Sequence, residues 1–250
     1  MIDLNKVYNT DCIDGLKSVP DNTVDLIVTS PPYNVGIEYD SHNDNMPWDQ
    51  YYNWCEQWLK ELYRVLKPDG RFCLNHYISF GSSKWREVPL MRLNTICENT
   101  GFKHHSLALW WDEHRCKYSA WGSWKSSSSP YINQPIEGVL ILYKDRWKRD
   151  NKGEDTISKD DFIMGCSGIW KINPVHGGDT PANYPERLPK LCIELLSFKD
   201  DIVLDPFAGS GTTGVAALKT ERRFIGFEIS PAYCEIANSN LKVWKEQRRL

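Results

Sequence analysis

A glycine-rich turn near the end of the chain constrains the fold more than any other feature. Gly209-Ser210-Gly211-Thr212-Thr213-Gly214 follows the apolar run Ile202-Val203-Leu204 and opens the helix-like stretch Thr212 to Lys219. Glycine permits a tight turn and a close approach of backbone to ligand, and a helix start offers free N–H groups. Glu228 ends the next strand-like run, Arg223 to Glu228, 19 residues after Gly209. An acidic residue at that place can accept hydrogen bonds from a ribose diol. Strand, glycine turn, helix and strand make a βαβ unit. A tight turn without a ligand is the plainer reading. A phosphate-binding P-loop is excluded, because Val215 and Ala216 stand where lysine and serine or threonine are required. A dinucleotide site, as in a nicotinamide-dependent dehydrogenase, stays open from the glycines alone. Only about 20 residues follow Glu228, too few for the second mononucleotide-binding half.

Upstream, strands and helices alternate. Val24-Asp25-Leu26-Ile27-Val28 reads as a buried strand stopped by Pro31 and Pro32. Trp48 to Leu66 carries apolar residues at Tyr51, Trp54, Cys55, Trp58, Leu62 and Leu66, a helical period. Lys67-Pro68-Asp69-Gly70 breaks that helix, and a strand resumes over Arg71 to Asn75. A helix near 85–99, a strand near 105–111 and a strand from Ile136 to Tyr143 follow. Asn183 and Glu186 resemble a capping box for a helix running to about Ser197, and Pro231 to about Glu246 reads as the last helix. The alternation predicts an α/β domain with a largely parallel sheet. Between about 112 and 170 the pattern loosens: Trp121 to Ser129 reads as a loop, and 144–163 as an exposed charged excursion.

At 250 residues the chain fits one domain with a small insertion. No apolar run reaches membrane-spanning length and the N-terminus lacks a signal-peptide core, so a cytoplasmic protein is expected. The eight cysteines, at 12, 55, 73, 97, 116, 166, 192 and 234, show no metal-ligand spacing and read as scattered thiols, so no metal is expected. The formal net charge of −3 does not announce a nucleic-acid partner, so phosphate binding falls to local cations. Candidates are Arg115, Lys117 and Lys125, then Lys144, Arg146, Lys148, Arg149 and Lys152, and finally Lys242, Lys245, Arg248 and Arg249, for which a solvated face is the competing reading.

Thr29-Ser30-Pro31-Pro32-Tyr33-Asn34 lies at the carboxyl end of a buried strand, where open α/β sheets place ligands. Two prolines stiffen the turn and remove two N–H groups, so carbonyl oxygens are presented. An amino group on an aromatic base is a poor nucleophile, because its lone pair is delocalised into the ring. Acceptors bonded to its two hydrogens favour the pyramidal form that can attack a methyl sulfonium. Tyr33 suits stacking on a base removed from a duplex. Read alone, the turn has a plainer alternative, a proline-stopped strand with a partly buried tyrosine.

Together these segments resemble the DNA amino-methyltransferases that act on cytosine N4 or adenine N6. Ser30, Pro31, Pro32 and Tyr33 match their four-residue catalytic signature. Asp205, Pro206, Phe207, Ala208, Gly209, Ser210, Gly211 and Thr212 resemble their cofactor motif, and Glu228 the acidic residue that holds the ribose of S-adenosylmethionine. Asp11 and Cys12 look like the N-terminal segment near the cofactor adenine, and Pro181 to Leu188 like the segment closing over its methionine part, with Thr180 where the family commonly has histidine. Catalytic motif first and cofactor motif last is the order of the β class. The resemblance therefore implies a Rossmann-like methyltransferase fold, circularly permuted, with residues 1–111 as the catalytic half, 112–170 as a target-recognition insertion and 171–250 as the cofactor half. It implies S-adenosylmethionine as cofactor, double-stranded DNA as partner and a homodimer as a plausible form. Serine at the first catalytic position is commoner among the cytosine-N4 enzymes, so N4 is favoured with adenine N6 the alternative. A C5-cytosine enzyme needs a cysteine nucleophile in a pattern this chain lacks. A binding module without catalysis is the non-enzyme alternative. Trp121, Trp124, Lys144, Arg146, Lys148 and Arg149 are the candidate DNA contacts, with core packing the first reading of the two tryptophans.

Overall fold

The computed structural model describes residues 2–39, 41–42, 44–81, 85–111, 122–132, 136–174 and 184–247. In chain order, β1 (Lys6–Asn9), α1 (Cys12–Lys17), β2 (Val24–Thr29), α2 (Trp48–Val65) and β3 (Leu66–Tyr77) come first. A small hairpin of β4 (Phe80–Gly81) and β5 (Arg86–Glu87) leads to α3 (Pro89–Thr100), β6 (Lys103–Trp111) and β7 (Glu137–Tyr143). Then come α4 (Lys159–Cys166), β8 (Ile169–Lys171), α5 (Arg187–Leu196), β9 (Ile202–Asp205), α6 (Thr212–Lys219), β10 (Arg223–Glu228) and α7 (Pro231–Gln247).

Eight strands form one mixed sheet in the order β1-β10-β9-β2-β3-β7-β6-β8, with β7 antiparallel to both neighbours. β2 is buried along its whole length, which explains the run Leu26-Ile27-Val28 and leaves Asp25 and Thr29 as buried polar groups that need partners. Residues of α1, α2 and α3 share a core with one face of the sheet, and residues of α5, α6 and α7 with the other. Leu26 and Ile27 of β2 pair with Val203 and Leu204 of β9, so the two ends of the chain meet at mid-sheet. β1, β10, β9, β2 and β3 are mutually parallel, and their carboxyl ends line one edge at Asn9, Glu228, Asp205, Thr29 and Tyr77. No helix among the described residues is long and apolar enough to cross a membrane.

Several expected boundaries shift for identifiable reasons. The partner of β2 jumps from Leu66 to Arg71 as β2 advances from Val24 to Leu26, so Lys67 to Gly70 is absorbed as a bulge. α3 starts at Pro89 because Arg86 and Glu87 pair with Gly81 and Phe80. Asn183 lies outside the described residues; Glu186 makes no cap bond to α5 and pairs with Lys219 at 2.7 Å.

The stretch after β7 is exposed over most of its length, as expected, but two of its cations turn inward. The Arg149 side chain is 8% exposed and reaches Asp25, Asp69 and Asp201 at 2.8, 3.2 and 3.0 Å. Lys144 is buried, and its Nζ donates to the Leu66 carbonyl and Asn22 Oδ1, both at 2.8 Å. Arg146 pairs with Asp150, and Trp147 stacks on His105 at 3.5 Å. Asp25 and Asp201 mark the amino ends of β2 and β9, the sheet edge opposite the glycine turn. The expected DNA contacts of Lys144 and Arg149 are therefore corrected: both cations are committed to internal partners. Arg146 and the exposed Lys148 belong to the same remote segment.

Candidate active site

Asp205 closes β9 and is buried. Its carboxylate accepts from Thr29 Oγ1 and Thr213 Oγ1, both at 2.6 Å, and from the Phe207 N–H at 3.0 Å. Burial pushes its carboxyl above the usual range, and the three donors oppose that shift. Asp205 therefore acts as the frame of the turn and does not line the cleft. Tyr184, from the segment expected to close over the cofactor, hydrogen-bonds Thr213 and so touches the same frame.

The turn itself shows why glycine is required twice. Gly209 has φ +51°, and a Cβ there would meet no atom within 4 Å. Its N–H donates to Glu228 Oε2 at 2.8 Å, and the Ser230 N–H donates to the other oxygen at 2.8 Å. Gly211 has φ +84°, and a Cβ there would press on Ala237 Cβ at 3.0 Å, so the turn packs tightly on α7.

Around this turn lies a cavity of about 130 Å³ lined by Asp11, Cys12, Ser30, Pro32, Pro206, Phe207, Gly209 and Glu228. Tyr39, His42, Trp54, Phe227, Ile229 and Tyr233 complete the lining, and sequence reasoning missed all six. Asp11 caps α1 through Oδ1, which accepts from the Ile13 N–H at 2.8 Å. Phe207 packs against Trp54 and Trp58 at 5.5 and 5.3 Å, joining the turn to α2. Tyr39 and His42 come from the loop after Tyr33, which Asp44 organises by accepting from the N–H groups of Asn34, Val35 and Ile37 at 2.7, 3.1 and 3.0 Å. Nothing periodic marks that loop in sequence. The buried His42 Nε2 has no hydrogen-bond partner among the described residues, and burial lowers the imidazole pKa. Ala208 is buried, and the Ser210 carbonyl accepts from Asn240 at 3.0 Å, so these two expected cofactor residues support the turn. A carboxylate at the wall, an uncrowded glycine and aromatic sides fit a nucleoside-bearing cofactor.

The Ser-Pro-Pro-Tyr turn sits next to this cavity, and Ser30 belongs to both. Pro32 offers its carbonyl to Tyr51 Oη at 2.7 Å. The Tyr33 ring lies 4.2 Å from His76 and 4.9 Å from Tyr77. Tyr33 Oη donates to Glu137 Oε2 at 2.8 Å and accepts from Ser30 Oγ at 2.8 Å and Asn75 Nδ2 at 2.7 Å. Asn75 Nδ2 also donates to Glu137 Oε2 at 2.9 Å. Burial, and then the Glu137 charge, hold the Tyr33 phenol well above its ordinary pKa. Burial lowers His76 to about 3, so its ring is neutral at physiological pH. Asn75, His76 and Glu137 carry no motif; the pairing of β3 with β2 brings the first two to Tyr33, and the pairing of β7 with β3 adds Glu137.

The family model for N6/N4 enzymes, described as DNA methylase, matches residues 24–239. The chain belongs to this DNA methylase family. Such a methylase is an S-adenosylmethionine-dependent enzyme acting on an amino group of DNA. Type II methyltransferase M.MjaVI of Methanocaldococcus jannaschii is 42% identical over 153 residues, 61% of this methylase and 78% of the relative. Type II methyltransferase M.BglII of Bacillus subtilis is 33% identical over 254 residues, 94% of this methylase and 68% of the relative. Among solved structures, TTHA0409 of Thermus thermophilus superposes with TM-score 0.76 at 26% identity, covering 96% of this methylase and 94% of that chain. The same protein complexed with S-adenosyl-L-methionine gives a TM-score of 0.75. Family membership removes the dehydrogenase reading.

Of the remaining expected DNA contacts in the methylase, Trp121 lies outside the described residues. Trp124 is 73% exposed, which overturns core packing for it. It sits on a loop closed by a bridge between Gly122 and Pro130. That loop docks on the β4–β5 hairpin: Arg86 lies 4.4 Å from the Tyr131 ring and donates to the Ile132 carbonyl at 2.6 Å. The hairpin follows the carboxyl end of β3, so the loop shares the sheet edge of Tyr33.

Proposed function

We propose that this methylase acts on the exocyclic amino group of a base flipped from double-stranded DNA, with cytosine N4 favoured and adenine N6 the alternative. The observation that carries this reading is the position of Ser30, which lines the cofactor cavity and also begins the hydroxyl chain to Tyr33 and Glu137. Asp11, Cys12, Pro206, Phe207, Gly209 and Glu228 hold the cofactor, with Glu228 toward the ribose. S-adenosylmethionine supplies an electrophilic methyl group when bound. Ser30 Oγ accepts a hydrogen bond from the target amino group and turns its nitrogen lone pair outward. Tyr33, backed by His76 and Tyr77, offers its ring to the extruded base. The cytosine preference rests on serine, in place of aspartate, at the first catalytic position.

The order of motifs supports the permuted β class: Ser30 precedes Gly209 in the chain, yet β2 and β9 are sheet neighbours. Residues 1–111 and 171–250 then form one methyltransferase domain, with target recognition within 112–170 carried by the loop that holds Trp124. A homodimer is part of the reading, and a restriction partner would suit its type II relatives. Mass spectrometry of nucleosides from DNA incubated with the protein and S-adenosylmethionine tests the reading. N4-methylcytosine supports it, N6-methyladenine selects the alternative, and no methylated nucleoside rejects both.

A further inference from the structure

Three polar side chains meet at Tyr33 Oη, and the directions of their hydrogen bonds are fixed from one end. Glu137 Oε2 accepts from Asn75 Nδ2, a group that can only donate, and Tyr33 Oη donates to the same oxygen. Tyr33 Oη then has only acceptor capacity left, which Ser30 Oγ and Asn75 Nδ2 fill at 2.8 and 2.7 Å. The Ser30 proton is thereby committed to Tyr33. What Ser30 Oγ keeps is lone pairs.

We infer that Glu137 is a positioning residue that sets the direction of this hydroxyl chain, so that Ser30 presents an acceptor and no donor to the target amino group. The inference rests on the amino-methyltransferase reading above. A free serine hydroxyl can donate as readily as accept, and a donor pointed at the amino nitrogen would occupy the lone pair needed for attack. An ionised aspartate at position 30 would have no such ambiguity. Glu137 gives the serine the same one-way character from one residue further back. Glu137 is 5% exposed and pairs across β7 and β3 with Tyr77, so the carboxylate sits in a water-poor frame where direction is strongly held. Asn75 reinforces it by donating to both Tyr33 Oη and Glu137 Oε2.

The test uses the full chain, S-adenosylmethionine and the DNA it methylates, under single-turnover conditions at saturation. Glu137→Gln keeps the shape but lets the amide donate to Tyr33, which reverses the chain. The expected result is a loss of about 10- to 100-fold in the single-turnover rate, the worth of a hydrogen bond to a charged acceptor. Cofactor and DNA affinities should stay within about twofold, as expected for an interaction felt in the transition state. Adding Ser30→Asp to Glu137→Gln should recover rate, because a carboxylate at position 30 accepts regardless of Tyr33. Structural damage would not be repaired that way. If Glu137→Gln does not fold, Tyr33→Phe removes the middle link and should show the same rescue by Ser30→Asp. An unchanged rate in Glu137→Gln, or a loss that Ser30→Asp leaves in place in both backgrounds, overturns the inference while the functional reading stands. A wild-type protein that methylates no DNA overturns that reading instead.

Discussion

Thr29 Oγ1 donates to Asp205 Oδ1 at 2.6 Å, tying the residue before the catalytic turn to the residue that heads the glycine turn, 176 positions apart. Both side chains are buried, and Asp205 holds Thr213 and the Phe207 N–H with its remaining capacity. The catalytic and cofactor turns are thus set against each other by one carboxylate.

Thr29→Val should weaken both functions together. It leaves a buried carboxylate oxygen short of a donor, a loss of about 1–3 kcal/mol. Calorimetric titration with S-adenosylmethionine and a turnover assay should both decline. A change in only one would mean that the two turns are positioned independently.

Glu228→Ala removes the carboxylate that holds the Gly209 and Ser230 N–H groups and faces the cavity. Cofactor affinity should fall by about 10- to 100-fold, the scale of a charge-assisted hydrogen bond. DNA binding without cofactor should stay near wild type. Unaltered cofactor affinity would place the ribose elsewhere.

Arg149→Ala should destabilise the fold by about 3–5 kcal/mol, because it removes the cation against which Asp25 and Asp201 are buried. Urea unfolding reads this directly. The salt dependence of DNA binding should not change, since Arg149 sits at the far edge of the sheet. A reduced salt slope in the folded variant would return it to the DNA contacts.

His76 gives stability a pH dependence of known sign. Burial lowers its folded pKa from 6.5 to about 3. The unfolded chain therefore binds a proton that the folded chain refuses, and this contribution is present above pH 6.5 and lost progressively as pH falls toward 3. In His76→Gln, the decline of the urea midpoint between those values should be shallower. Parallel curves for the two proteins would exclude the assignment.

Trp124→Ala should leave thermal stability unchanged, because the ring is 73% exposed. If its loop contacts DNA, affinity drops by about fivefold or more, roughly 1 kcal/mol of lost contact. Unchanged affinity in a fluorescence titration would remove this residue from the recognition surface.

What could be read from sequence was local. The glycine turn, β2, α6 and β10 declared themselves because each is a short motif or a short segment rich in apolar residues. Asn75, His76 and Glu137 did not, since their role depends on a cross-strand register that no local pattern encodes. Arg149 misled for a related reason: a cluster of cations reads as surface until the three aspartates around it, from three distant segments, are known. Trp124 misled in the opposite direction, because a tryptophan beside glycine and serine carries no sign of which way the loop turns it.

The pairing of β2 with β9 also has a consequence in time. Until Val203 and Leu204 leave the ribosome, Leu26 and Ile27 belong to an edge strand with an unpaired apolar rim. At ordinary rates of synthesis that interval lasts roughly 10 to 35 s. During it the catalytic turn exists as sequence but has no Asp205 to lean on, so no nascent chain can bring Ser30 up to the glycine turn before β9 and the residues just after it have been made.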